Sequence, residues 1–168
     1  MRLATLCGSL RQGSLNAALI DAVAAMGLFE VERVSTVLPP FDPGLADDAP
    51  PDVLAFRARL RVADAILICQ PEYAMGVPGV LKNAIDWTVG SCEFSHKPTA
   101  LITCAATGEI AHVALQEVLR VLEASLTPQT TLLIQHSRAK IRPDGSFIDP
   151  TTEHAVHRTM SALANRNA

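Results

Sequence analysis

The residues best placed to do chemistry in this chain form the polar string GSLRQGSLN, Gly8 to Asn16. It follows the apolar run LATLC and precedes an alanine-rich amphipathic segment. Ser9 and Ser14 offer hydroxyls, Arg11 a guanidinium fork and Asn16 a carboxamide. Ser14 stands where a helix N-cap belongs, just before the Leu15/Leu19 stripe, and Gly8 is where the chain must turn out of the apolar run. The unpaired N–H groups and partial positive charge of the helix start would then lie beside Arg11, a combination that suits a phosphate. The competing reading is a capped helix with a solvated loop, since the string is neither a GxGxxG nor a Walker motif.

A loop of this kind needs strands and helices to hold it. Four short, continuously apolar runs recur: Leu3 to Cys7, Asp64 to Cys69, Thr99 to Cys104 and Thr131 to Ile134. They predict strands buried on both faces of a parallel sheet. Leu28 to Ser35 alternates instead and predicts an edge strand. Helical patterns lie between them, over Ser14–Met26, Pro51–Ala63, Pro78–Val89, Glu109–Leu126 and from about Pro150 onward. Strands alternating with helices imply right-handed βαβ units in an α/β three-layer sandwich. Five of each fit the flavodoxin-like sheet with strand order 2-1-3-4-5, whose ligand crevice opens at the carboxyl ends of strands 1 and 3.

The length, 168 residues with 49% apolar, predicts one domain over residues 1–168. The Pro-rich stretch from Pro39 to Pro51 reads as a surface loop inside it. Fourteen basic residues against 17 acidic ones leave a net charge of -3, which argues against nucleic acid or an anionic membrane surface as a partner. Four cysteines, Cys7, Cys69, Cys92 and Cys104, lack any metal-binding spacing and read as buried apolar residues of a reducing cytoplasm. No stretch has the length of a membrane span.

After the third strand the chain continues QPEYAMGVPGVLKNAIDWTVG. Together with GSLRQGSLN, this resembles the NADPH-dependent FMN reductase family, flavodoxin-like enzymes whose members reduce quinones, azo dyes or metal oxyanions. The resemblance implies bound FMN, NADPH or NADH as co-substrate, a small-molecule electron acceptor, and self-association as a homodimer or homotetramer. It assigns the FMN phosphate to Ser9, Arg11, Ser14 and Asn16 with the Leu15 backbone N–H. The ring and ribityl chain fall to Pro71, Glu72, Tyr73, Ala74 and Met75, with Thr107 and Gly108 of the loop after strand 4 beside them. It names no catalytic side chain and no metal ligand, because the cofactor carries the chemistry. Two departures bear on flavin affinity: Ala74 stands where many members have Asn, and the loop CAATGEIAH holds one glycine where a glycine-rich loop is common. The rival functions are a one-electron flavodoxin and a non-enzymatic binding protein with a weakened flavin site.

Other residues have plainer readings. Glu72 can cap the third helix or receive backbone N–H groups, and Tyr73 can be a half-buried packing residue. Trp87 lies beside a stripe of Val80, Leu81, Ala84, Ile85 and Thr88 that predicts core packing, with a dimer surface second. Arg57, Arg59 and Arg61 read as a solvated helix face, as do His154 and His157, and His112 falls near the expected flavin edge.

Overall fold

The computed structural model describes residues 1–45 and 48–167. Residues 46 and 47 of the Pro-rich connection lie outside the described residues. The chain alternates β1 (Arg2–Cys7), α1 (Leu15–Ala25), β2 (Glu30–Val34), α2 (Pro51–Val62), β3 (Ala65–Gln70), α3 (Gly79–Asp86), β4 (Thr99–Cys104), α4 (Glu109–Val121), β5 (Thr131–Ile134) and α5 (Pro150–Ala164). All five strands are parallel, in the order β2-β1-β3-β4-β5, as the sequence pattern predicts.

Burial along the strands follows position in the sheet. Every residue of β3 and β4 is buried, because each has a strand on both sides and helices on both faces. The outer strands are wetter: β2 is mostly exposed, and Thr131 to Leu133 of β5 are only half-buried. On one face Leu3, Leu67 and Ile102 pack against Leu19 and Val23 of α1 and Val156 and Met160 of α5. On the other, Leu6, Ile66, Ile68 and Leu101 pack against Phe56 and Leu60 of α2, Leu81 and Ile85 of α3, and Leu115 and Leu119 of α4. Period-2 alternation within the buried strands thus feeds two separate cores, and the row of carboxyl ends remains where all the loops of interest leave the sheet.

Three expectations need correction. The fourth helix ends at Val121 rather than Leu126, because Glu123 takes a left-handed conformation (φ 57°) and the Ala124 N–H reaches back to the Leu119 carbonyl at 3.0 Å. Arg57 is buried, not solvated: its Nε donates to the Trp87 carbonyl at 2.8 Å and its guanidinium lies 5.9 Å from the Trp87 ring centroid. Cys92 is exposed rather than buried. Trp87, by contrast, is core as its helical stripe predicts, fully buried, donating from Nε1 to the Pro39 carbonyl at 2.8 Å and meeting Phe41 edge to face.

Candidate functional site

The loops leaving the carboxyl ends of β1, β3, β4 and β5 enclose a crevice of about 780 Å3. That volume is in the range of small-molecule and cofactor sites. Its floor is the start of α1, where the Ser14 hydroxyl oxygen accepts from the Asn16 N–H at 3.2 Å. The first turn of α1 contains no acidic residue, so its exposed dipole is uncompensated. The chain bends at Gly8 as expected, and the residue has a further reason to be glycine. A Cβ there would come 3.0 Å from the Gln70 Cβ and 3.2 Å from its Cα, so glycine lets the first loop press against β3.

Of the residues singled out in the first loop, Ser9, Arg11, Ser14, Leu15 and Asn16 all line the crevice. Arg11 is exposed and its guanidinium makes no hydrogen bond or ion pair with the described residues. The Asn16 amide is committed inward: its Nδ2 donates to the Cys104 carbonyl at 3.1 Å, tying α1 to the end of β4, while its buried Oδ1 has no partner.

The loop after β3 divides. Pro71, Glu72 and Tyr73 line the crevice, whereas Ala74 and Met75 form the exposed tip of a tight turn outside it. Tyr73 and Gly76 exchange backbone hydrogen bonds of 3.2 and 3.0 Å around those two residues, both at positive φ (48° and 58°). That is the backbone of a two-residue turn that normally recruits Asn-Gly. The Tyr73 hydroxyl meets Ser9 Oγ at 3.0 Å, joining the first loop to the third-strand loop across the crevice mouth.

Glu72 caps a helix, but the helix is α4. Its Oε2 accepts from the Ala111 N–H at 2.9 Å and its Oε1 from the Thr107 hydroxyl at 2.8 Å and the Gly108 N–H at 3.2 Å. These donors, the Ala111 N–H foremost and then the Thr107 hydroxyl, hold its carboxyl below the usual glutamate range. Thr107 and Gly108 therefore serve Glu72 and do not line the crevice. Gly108 begins α4 at φ 95°, where a side chain would be strained and would come 3.0 Å from Leu133 and Thr103. His112 is buried behind this loop, with Nδ1 2.8 Å from Thr103 Oγ1, which also receives the Gln70 amide at 3.2 Å. Burial pushes the imidazole pKa down, which places His112 in a neutral packing network away from the crevice lining.

Sequence reasoning missed the wall built by the loop after β5. His136, Ser137, Arg138, Ala139, Ile141 and Pro143 line the crevice along with the first-loop and third-strand-loop residues. The string HSRAK directly follows the apolar run TLLIQ, just as the first loop follows its own strand, and that placement was the available signal. Cys104 also reaches the crevice, and burial pushes its thiol up to about 11, so it is a protonated wall residue rather than a nucleophile. No cluster of potential metal ligands occurs among the described residues, and no helix among them is long and apolar enough to cross a membrane.

Known proteins resemble this chain in sequence and in fold. The sequence model of the NADPH-dependent FMN reductases matches residues 1–139. A 2-hydroxy-1,4-benzoquinone reductase from a Burkholderia species is 32% identical, the match covering 98% of this chain and 94% of that protein. An NAD(P)H-dependent FMN reductase of Pseudomonas aeruginosa is also 32% identical, over 93% and 89% of the two chains. Among solved structures, the flavoenzyme NAD(P)H:(acceptor) oxidoreductase FerB of Paracoccus denitrificans superposes with a TM-score of 0.85 at 29% identity, covering 98% of this chain and 95% of FerB. An archaeal flavodoxin matches at TM-score 0.66 and 15% identity, a likeness of fold alone. With the phosphate-suited first loop and the EY loop lining one crevice, and the family's sequence model matching residues 1–139, the chain belongs to the NADPH-dependent FMN reductase family.

Proposed function

We propose that this chain is an FMN-dependent oxidoreductase that takes reducing equivalents from NADPH or NADH and delivers them to a quinone-type acceptor. The observation that carries the reading is the convergence, in one crevice, of the uncompensated α1 N-terminus, the Ser9 and Ser14 hydroxyls and the free guanidinium of Arg11. That donor set fits a phosphate monoester, and the crevice beside it has room for the rest of a flavin nucleotide. FMN, when bound, supplies the hydride chemistry between donor and acceptor. In this reading Ser9, Arg11, Ser14 and the Leu15 N–H hold the phosphate, and Asn16 positions the helix start through Cys104. Pro71 and Tyr73 flank the ring, with Ala74 and Met75 at the mouth, and Glu72, Thr107 and Gly108 keep the neighbouring loop in place. The test is spectroscopic. FMN added to the purified chain should bind, and NADPH should then bleach its visible absorbance until a benzoquinone restores it. A chain that takes up no FMN is a binding protein of another kind, and one that takes up FMN without reduction by NADPH or NADH is an electron carrier.

The same reading includes self-association and a reducing, cytoplasmic setting, the latter in keeping with four cysteines that are all free thiols. We place the contact on α4, where Ile110 and Val121 are exposed apolar residues three turns apart on one face, with exposed Val113 one turn beyond Ile110. Light scattering of the chain and of Val113→Glu should give a dimer or tetramer and a smaller species, respectively. A monomeric mass for the unmodified chain would remove this part of the proposal.

A further inference from the structure

The crevice has more positive charge than one phosphate requires. Two guanidinium groups line it, Arg11 on the first loop and Arg138 on the loop after β5, and His136 of that second loop lines it too. Glu72 is the one carboxylate among the lining residues, and its oxygens are taken by the Ala111 and Gly108 N–H groups and the Thr107 hydroxyl. A chain with a net charge of -3 therefore presents, at this one place, two arginines and no uncommitted carboxylate.

The wall that bears Arg138 is well anchored. The Ala105 N–H donates to the Ile134 carbonyl at 3.1 Å, the His136 N–H to the Ala106 carbonyl at 3.0 Å and the Ser137 N–H to the Ala105 carbonyl at 3.1 Å, so the loops after β4 and β5 continue the ladder of their strands. Ser137 and Ile141 are buried on either side of the arginine. Arg138 itself is exposed, and its guanidinium has no hydrogen-bond or ion-pair partner among the described residues. By contrast, Arg142 three residues beyond Ala139 is engaged with Ser146 and the Phe147 carbonyl.

We propose that Arg138, with His136 as an additional donor, forms a second anion subsite that receives a phosphate group of the nicotinamide nucleotide donor. The inference rests on the function proposed above: a donor that reduces bound FMN must enter the same crevice, and it carries anionic groups that Arg11, already engaged by the flavin phosphate, cannot serve. A guanidinium fork is the side chain suited to bind such a group in two places at once. The pyrophosphate common to NADH and NADPH and the 2′-phosphate of NADPH share this chemistry, and the experiment separates them.

Affinities of the chain and of Arg138→Ala for FMN, and for the unreactive NADP+ and NAD+ with and without FMN, are measured by calorimetry, with KM for NADPH and NADH alongside. In Arg138→Ala, FMN affinity should stay within about twofold while NADP+ affinity falls about 10- to 100-fold, and Arg138→Lys should recover part of the loss. A loss confined to NADP+ and NADPH assigns the 2′-phosphate, and an equal loss for NAD+ and NADH assigns the pyrophosphate. Unchanged affinity for both nucleotides overturns the proposal, as does a tenfold loss of FMN affinity, which would make Arg138 a ligand of the flavin phosphate. A chain that takes no FMN but binds NADP+ through Arg138 fails only the functional reading, whereas one that takes FMN and binds nucleotides without regard to Arg138 fails only this inference.

Discussion

At the scale of single residues, the clearest separation is between side chains that are free to meet a ligand and side chains already spent on the protein. Arg11 is free, so its removal should be felt by the ligand and hardly by the fold. A charge-assisted hydrogen bond contributes about 1.5 to 3 kcal/mol, so Arg11→Ala should weaken FMN binding about ten- to a hundredfold. Riboflavin, which lacks the phosphate, should bind the variant as it binds the original chain. Equal losses for the two would mean that the arginine acts on the ring or on the loop. Glu72 is spent: three donors of the α4 start point at its carboxylate. Because its folded pKa is depressed, the unfolded chain binds more protons in acid, and the stabilisation it gives is present above the ordinary glutamate pKa and lost as pH falls through the folded one. Glu72→Ala should therefore lower Tm at pH 7, and the gap from the original chain should close as the melts are taken below about pH 4. A gap independent of pH would show that the side chain acts by packing and not by charge.

At the scale of elements, the 73–76 turn is the place where local preference and structure disagree most. Ala74 and Met75 both hold left-handed φ, a conformation that costs a residue with a side chain about 1 kcal/mol. Met75→Gly should remove that cost at an exposed position and raise Tm by roughly 2 to 4 °C in a chain of this length. An unchanged or lower Tm would indicate that Met75 makes compensating contacts. Much of the fold was legible because parallel strands with helices on both faces must be continuously apolar, and ILIC and ALITC are. The starts of the helices were legible through Ser14, Pro51 and Gly108, residues whose backbone preferences are local. What escaped were features set by distant neighbours. Arg57 is buried because the Trp87 carbonyl, thirty residues on, accepts its Nε, and a charged residue in a helix pattern gives no hint of that. The β5 loop escaped for a similar reason: HSRAK has no glycine signature, and it is brought to the crevice by bonds to residues far off in sequence, its backbone to Ala105 and Ala106 and the Ser137 side chain to Cys104.

At the scale of the whole molecule, ligand binding and folding share one free-energy scale, because a ligand that binds only the folded chain stabilises it by RT ln(1 + [L]/Kd). The crevice is assembled from loops leaving four strands, so it has no counterpart in the unfolded chain. At free FMN a hundredfold above its dissociation constant the stabilisation is about 2.7 kcal/mol, which at this length corresponds to a rise in Tm of roughly 5 to 10 °C. The Arg11→Ala variant ties this to the phosphate. At the same FMN concentration, a tenfold loss of affinity leaves about 1.4 kcal/mol and a hundredfold loss about 0.4 kcal/mol, so the FMN-induced rise should shrink by half or nearly vanish. The melting temperature of the ligand-free variant should stay close to that of the original chain, since Arg11 is exposed and holds nothing together. Melts recorded with FMN, with riboflavin and without ligand thus distinguish three cases. A rise with FMN that Arg11→Ala removes locates the phosphate at the start of α1, and a rise that survives the substitution locates it elsewhere. Superimposed melts at every concentration would mean that the crevice does not hold flavin at all.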